Sequence, residues 1–489
     1  MRQLLLKTGS IMRSLVAARP ALRSFSAVPD FLLTAPATSV SELSNGVCVA
    51  SEASPSRARR RSSPRFGLIS PLPTFRPCFD ALLPLQASAG DLATVGVFVG
   101  TGSRFEAPAM SGASHLMQTA AMTEKAAAIE ALGGSVSGYT TRETTVYTAT
   151  VLKEKAADAV KLLGELATKP PSGDQSFADA KSGVLAQLDV MATTPEVMEG
   201  LHEMAYMDTS LATPVIGTKA TVEGLVKSDL KPSLTGSMVK VAGAGVDHAM
   251  LSELAKGALG SLPTATAGVE LAMEPAMFTG SDKCVRMDSY PFAHVAIAYE
   301  GPSLTSEYAL PAQLAHYLLG SYSGTSTVPL ANHATRLQID LGEQDAAAAF
   351  TPFYTPYKDT GLFGIYLVSP DNKLQDAVWY VMMNLVRLMY KTTDEELDRA
   401  KLAMKTAILE SLSTPSGVCE DLGKQMLSYG RVISTAELFA RIDAIDAATI
   451  KDTVYQIVHD NDHVLSAAGP IWELPDYNYI RRRSYWLTR

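Results

Sequence analysis

The chain has 489 residues, 47% hydrophobic and 19% charged, which suits a folded protein of two to four domains and excludes a disordered tail. Residues 1–89 hold 11 of the 42 basic and 4 of the 50 acidic side chains, so the remainder is near −15, which argues against nucleic acid as a main partner. The four cysteines, Cys48, Cys78, Cys284 and Cys419, form no C-x-x-C pair, excluding a local zinc knuckle and a disulfide-dense secreted domain.

Residues 1–25 read as a mitochondrial transit peptide. Arg2, Lys7, Arg13, Arg19 and Arg23 alternate with apolar residues, and the first acid is Asp30. The arginines interrupt any stretch long enough for a secretory signal. Arg23-Ser24-Phe25-Ser26 resembles a matrix-protease site with cleavage after Phe25. No stretch reaches 18 apolar residues, so a spanning helix is not expected.

The next elements are two strands, Gly46–Ala50 and Ala93–Val99, expected to pair as a hairpin. Between them, residues 54–88 carry Arg57, Arg59, Arg60, Arg61 and Arg65 and then Pro71, Pro73, Pro77 and Pro84, a composition that continues neither sheet nor helix; the segment reads as an exposed insertion. A helix over Ser111–Met122 follows, then an alternating strand over Thr144–Val151. A helix with Ala157, Val160, Leu163 and Leu166 at helical spacing comes next, and later a strand over Val239–Gly243.

The same order returns about 200 residues later: strand Ala293–Ile297, helix Leu310–Leu319, strand Gly361–Val368, a helix with Val378, Val381, Leu385 and Leu388, and strand Val464–Gly469. Asp394-Glu395-Glu396 marks another helix start, where the dipole favours acids. The chain therefore reads as α+β: two homologous domains, 36–258 and 276–473, each a mostly antiparallel sheet with helices on one face. A linker over 259–275 joins them, and a tail over 474–489 follows.

The helix after the first central strand contains His115-Leu116-Met117-Gln118-Thr119, preceded by Gly102-Ser103-Arg104-Phe105-Glu106. Here the chain resembles the pitrilysin-type metallopeptidases, in the branch of the mitochondrial processing peptidase β subunit and core protein one of complex III. That family carries G-S-R-x-E and H-x-x-E-H at this place. Residues i and i+4 share a helix face, so two histidines bind one Zn²⁺ while the glutamate activates water. In this chain the first histidine is His115, the base position holds Gln118, and the second ligand position holds Thr119. The family's third ligand falls on Gln187, with Asp189 the nearest carboxylate. A neutral amide has no useful basicity near pH 7, and threonine is not a usual zinc ligand.

Further pieces carry the likeness: Tyr139-Thr140-Thr141-Arg142-Glu143, Phe278-Thr279-Gly280-Ser281, Asp359-Thr360-Gly361-Leu362, Thr414-Pro415-Ser416-Gly417, and Leu474-Pro475-Asp476-Tyr477 ending Tyr485-Trp486-Leu487. The resemblance implies a pitrilysin-like fold and a non-catalytic structural role in complex III, on the matrix side of the mitochondrial inner membrane, with no metal or cofactor of its own. It implies a core protein two-like partner related to the processing peptidase α subunit, and contact with cytochrome b, cytochrome c1 and Rieske subunits, two copies per dimeric complex. The alternatives are an active presequence-processing β subunit and a non-hydrolytic presequence-binding protein. Glu199, His202 and Glu203, at metal-binding spacing, read as a solvated face. His459 and His463 with Asp460 and Asp462 read as an exposed turn. Trp379 with Val381, Met382 and Met383 reads as core packing.

Overall fold

The computed structural model describes residues 38–52, 91–230, 234–263, 273–324 and 335–485. The expected transit peptide, the insertion 54–88, most of the linker and Trp486 onward lie outside the described residues. The first sheet contains β1 (Thr38–Glu42), β2 (Cys48–Glu52), β3 (Leu92–Val99), β4 (Ser135–Thr140), β5 (Thr145–Leu152) and β6 (Val239–Ala244), in the spatial order β1-β2-β6-β3-β5-β4. Its helices are α1 (Ala113–Glu124), α2 (Ala126–Leu132), α3 (Ala156–Thr168), α4 (Asp174–Thr193), α5 (Met198–Ala205), α6 (Lys219–Gly224) and α7 (His248–Leu259).

The second sheet contains β7 (Asp282–Arg286), β8 (Ala293–Gly301), β9 (Tyr322–Ser323), β10 (Ala349–Pro356), β11 (Gly361–Ser369) and β12 (His463–Gly469), in the order β7-β12-β8-β11-β10-β9. Its helices are α8 (Ala309–Leu319), α9 (Arg336–Glu343), α10 (Leu374–Tyr390), α11 (Asp394–Ser411), α12 (Pro415–Ser428), α13 (Thr435–Ala444), α14 (Ala447–Val458) and α15 (Tyr477–Arg483). The acids expected at a helix start lie in the first turn of α11, where the Thr393 side chain and Glu396 form a reciprocal cap.

The repeat is real in space, because β2-β6-β3-β5-β4 has the same connectivity as β7-β12-β8-β11-β10. The expected hairpin is not. β6 lies between β2 and β3, parallel to β2 and antiparallel to β3, so the Arg- and Pro-rich segment belongs to a connection that passes a strand. The equivalent connection in the second sheet, between β7 and β8, takes only residues 287–292.

The expectation of helices on one sheet face also needs correction, since both faces are covered. In the first sheet α3 and α7 pack on one side, burying Val160, Leu163, Leu251 and Leu259 against Val95, Val97 and Val241. The opposite side holds Phe98, Val146, Ala242 and Ala244, covered by Cys419 and Leu422 of α12, which comes from the other half of the chain. The exchange is mutual. Leu201 and Ala205 of α5, with Val197, Tyr206 and Leu211 around it, pack on Ala296, Ala298, Leu362 and Val464 of the second sheet. Each large apolar side chain so buried contributes about 1.5–3 kcal/mol, so the two halves are held together by core contacts. This explains why β3 and β12 are buried almost throughout instead of alternating.

The α12 contact is close enough to need glycine. A Cβ at Gly423 would lie 2.2–2.3 Å from ring atoms of Phe98, which is fully buried and cannot turn away. Gly423→Ala is therefore expected to lower stability by about 1–3 kcal/mol, read from the urea midpoint, through overpacking of the joint between the halves. An unchanged midpoint would mean that the helix can slide.

The C-terminal segment is part of the second core and not a free tail from residue 474. Ile480 of α15 is fully buried, Arg481 bonds Asp460 and Asp462, and the Tyr477 hydroxyl donates to the His463 carbonyl at 2.9 Å.

Candidate functional site

Helix α1 starts on the carboxylate of Glu106, which accepts hydrogen bonds from the backbone N–H of Gly112 at 2.8 Å and of Ser114 at 2.5 Å. These are free donors of a helix start, so the acid of the G-S-R-x-E run acts as a cap. Burial pushes the Glu106 carboxyl up, against the pull of the N–H groups it accepts. The same helix presents His115, Gln118 and Thr119. His115 is half-buried, and burial lowers its pKa, so the imidazole is neutral at pH 7.

Thr119 is one turn further on the same face, with its hydroxyl donating back to the His115 carbonyl at 3.0 Å. Gln118 is buried with its amide against edge strand β4, where a Cβ at Gly138 would lie 2.8 Å from Nε2. Helix α4 packs on α1 through Ala180 and Val184, with Leu188 beside them. Gln187 is exposed, and Asp189 is engaged by Lys219 at 2.7 Å. The structure thus places His115, Gln118 and Thr119 together on α1 and leaves the Gln187 amide toward solvent.

The chemistry of this set is limited. One imidazole, one hydroxyl and two amides do not fit a zinc ion, which takes thiolate, imidazole or carboxylate ligands. Among the described residues, no group of three or more His, Cys, Asp or Glu side chains is arranged to hold a metal.

The other titratable clusters resolve into structural bonds. Of Glu199, His202 and Glu203, expected to form a solvated face, Glu203 is exposed and Glu199 half-buried, but His202 is buried because α5 lies against the second sheet. Glu199 accepts from Arg142 at 2.5 Å and Glu203 pairs with Lys283. His202 is buried, with Nδ1 2.8 Å from the Met198 carbonyl and Nε2 2.8 Å from the Tyr357 hydroxyl. The first contact requires a proton on Nδ1, so Tyr357 donates to Nε2. His463 likewise is no turn residue. It starts β12, is fully buried and stacks on Tyr477 with centroids 4.1 Å apart, because α15 closes over it. His459 is half-buried and stacks on Tyr455, while Asp460 and Asp462 are exposed as expected.

Burial and the nearby Arg142 charge hold the His202 pKa at about 3. Its folded value lies below the unfolded one near 6.5, so its contribution is complete above pH 6.5 and falls as pH drops toward 3. Between pH 7 and 5 the chain should lose about 2 kcal/mol from this group. Urea titrations at the two pH values check this: His202→Gln should flatten the slope, and an unchanged slope would assign the acid sensitivity elsewhere.

Sequence reasoning missed the residue pairs at the joint. Arg104 has a fully buried side chain and bonds Glu143 at 2.6 Å and both oxygens of Asp359, at 2.8 and 2.6 Å, while also donating to the Glu274 carbonyl. Burial opposes its charge, but the bonds to Asp359 and Glu143 outweigh this and raise its pKa. The runs G-S-R-x-E, T-R-E and D-T-G therefore meet at one point, although Arg104 and Asp359 are 255 positions apart.

The comparisons agree with this architecture. Residues 84–219 match the family described as Insulinase (Peptidase family M16), and residues 234–404 match the Peptidase M16 inactive domain. The probable mitochondrial-processing peptidase subunit beta of Arabidopsis thaliana is 36% identical over 413 residues, covering 81% of this chain and 77% of that protein. Human cytochrome b-c1 complex subunit 1 is 31% identical over 492 residues, covering 96% of this chain and 94% of that one. A chain of the solved complex III2 from Candida albicans superposes with a TM-score of 0.77 at 26% identity, covering 92% of this chain and all of that chain. With two α+β halves joined through exchanged helices and matches across nearly its whole length, the chain belongs to peptidase family M16, as a homologue of both the mitochondrial processing peptidase β subunit and complex III core subunit one.

Proposed function

We propose that the chain is a non-catalytic core subunit of mitochondrial complex III, lying on the matrix side of the inner membrane. The observation that carries this reading is Gln118. At the position where the family has its general base, this chain has an amide packed against β4, and Thr119 stands where a second zinc ligand would be. A water molecule at this place would meet neither a metal nor a base. Support also comes from the full-length likeness to human cytochrome b-c1 complex subunit 1 and to the Candida complex III chain. The acid-free composition of residues 1–25 suits import into mitochondria.

Among the described residues, no helix is long and apolar enough to cross a membrane. In this reading the partners are a core protein two-like subunit and the cytochrome b, cytochrome c1 and Rieske subunits, with two copies of the chain in a dimeric complex. The reading as an active processing β subunit draws on the 36% identity to the Arabidopsis protein, but it requires the base and ligand that Gln118 and Thr119 replace.

Native electrophoresis of mitochondria carrying a tagged chain tests the assignment. Co-migration with haem b and c1 absorbance is expected. A haem-free matrix heterodimer holding all of the tagged chain would refute the core-subunit role.

A further inference from the structure

The cysteines at positions 48, 284 and 419 are in three different settings. Cys419 is fully buried on α12, and burial pushes its thiol up. Cys284 is exposed on β7, where partial burial of its sulfur and the neighbouring Asp282 push its thiol up as well. Cys48 is half-buried on β2, and the Lys240 Nζ donates to its Sγ at 3.2 Å. A cationic neighbour with partial access to solvent is the setting in which a cysteine attacks an oxidant, whereas one enclosed in apolar surroundings, as Cys419 is, stays inert.

The sheet itself builds the pair. β2 and β6 run parallel with Cys48 directly opposite Lys240, so both side chains stand on one face, that of Ala50 and Ala242. In the same row Glu42 of β1 lies opposite Cys48, and Phe98 of β3 lies opposite Lys240. Phe98 is fully buried under α12 and offers the ammonium no acceptor. Glu42 is exposed and forms no ion pair with Lys240, and among the described residues no other carboxylate pairs with it either. The Cys48 sulfur is therefore the partner of this half-buried lysine.

We propose that Cys48 and Lys240 are a modification site, at which a hydroperoxide closes a reversible covalent bridge between sulfur and amine. In the first step Sγ takes one peroxide oxygen, the O–O bond breaks, and the thiol becomes a sulfenic acid while the other oxygen leaves as water. Lys240 Nζ then gives up a proton to solvent and attacks the oxidised sulfur; the S–N bond forms, the S–O bond breaks, and the hydroxyl leaves as water. One thiol, one ammonium and one hydrogen peroxide thus give one sulfenamide, two waters and a proton, sulfur losing the two electrons that the peroxide gains. Closing the contact takes a turn of the flexible lysine stem. The bridge joins residues 192 positions apart and ties the β1–β2 hairpin to β6. It owes nothing to the assembly in which the chain resides.

Peptide mass spectrometry of the native assembly, treated with hydrogen peroxide and then alkylated, tests the bridge. The peptides holding Cys48 and Lys240 are expected to be joined, lighter by two hydrogens than their sum, and to separate again with dithiothreitol. In Lys240→Arg, which keeps the charge and removes the amine, the joined peptide should be lost and Cys48 recovered as the dimedone adduct of its sulfenic acid. Cys284 and Cys419 are references in the same digest and should not be joined to a lysine. The natural chain decides the matter even if the variant misfolds. Cys48 recovered there as a free thiol at a peroxide dose that oxidises Cys284 would overturn the proposal, as would a sulfenic or sulfinic acid at Cys48 beside an unmodified Lys240.

Discussion

Replacing Arg104 by methionine will cost the fold about 3–5 kcal/mol, the loss expected when one member of a buried ionic cluster is removed and its partners keep their charges. The Arg104 side chain is fully buried, and its guanidinium holds Glu143 of the first half and Asp359 of the second at 2.6 Å each. Methionine fills much of the volume but leaves two carboxylates facing each other and the Glu274 carbonyl without its donor. Asp359 is a quarter exposed, so water recovers part of the loss and places the result toward the lower end of the range. Arg104→Lys should recover little, because an ammonium cannot span both oxygens of Asp359 while also reaching Glu143.

A double variant separates the charge from the packing. Arg104→Met with Asp359→Asn should be more stable than Arg104→Met alone, since one of the stranded charges is gone. Additive losses would place the effect in packing. Asp359 is held below its ordinary pKa: burial works against the charge, and the Arg104 bonds outweigh it. The clamp should therefore be intact above about pH 4 and weaken only as pH falls through the lowered Asp359 value.

The second large effect is a gain. In the family pattern two histidines and a glutamate hold zinc and a further glutamate takes the proton. The triple substitution Gln118→Glu, Thr119→His and Gln187→Glu restores those groups on α1 and α4. The chain carrying it, reconstituted with a processing peptidase α subunit, is expected to bind zinc and to cleave a presequence peptide in a chelator-sensitive way, where the natural chain shows only background. Thr119→His with Gln187→Glu, lacking the base, should bind the metal but turn over about 10²–10⁴-fold more slowly than the triple variant. Cleavage by the natural chain, lost on chelation and on His115→Ala, would contradict the proposed role.

Much of the fold could be read from periodicity and repetition. The strand pair around Ala93 and Ala293, the helices behind them and the closing strands at Val239 and Val464 fall where the pattern placed them. Adjacency was harder. Nothing local to Val47 or Val95 reports that β6, arriving some 140 residues later, separates their strands. The exchanged helices were equally hidden, since the apolar faces of α5 and α12 say that they pack, not on which sheet.

At the candidate site, residue type was informative and environment was not. His115, Gln118 and Thr119 share one helix, so their spacing alone puts them together. His202 and His463 looked solvent-facing because their neighbours are acidic, but the partners that bury them, Tyr357 and Tyr477, come from other elements. The Arg104 clamp joins residues from both halves of the chain, and pairing at such distance leaves no local trace.

The chain isolated in its native assembly without chelators, and assayed for metal, is expected to hold no zinc beyond that of a matched His115→Ala preparation. One zinc per chain, absent from that variant, would contradict it and return the chain to the catalytic members of its family.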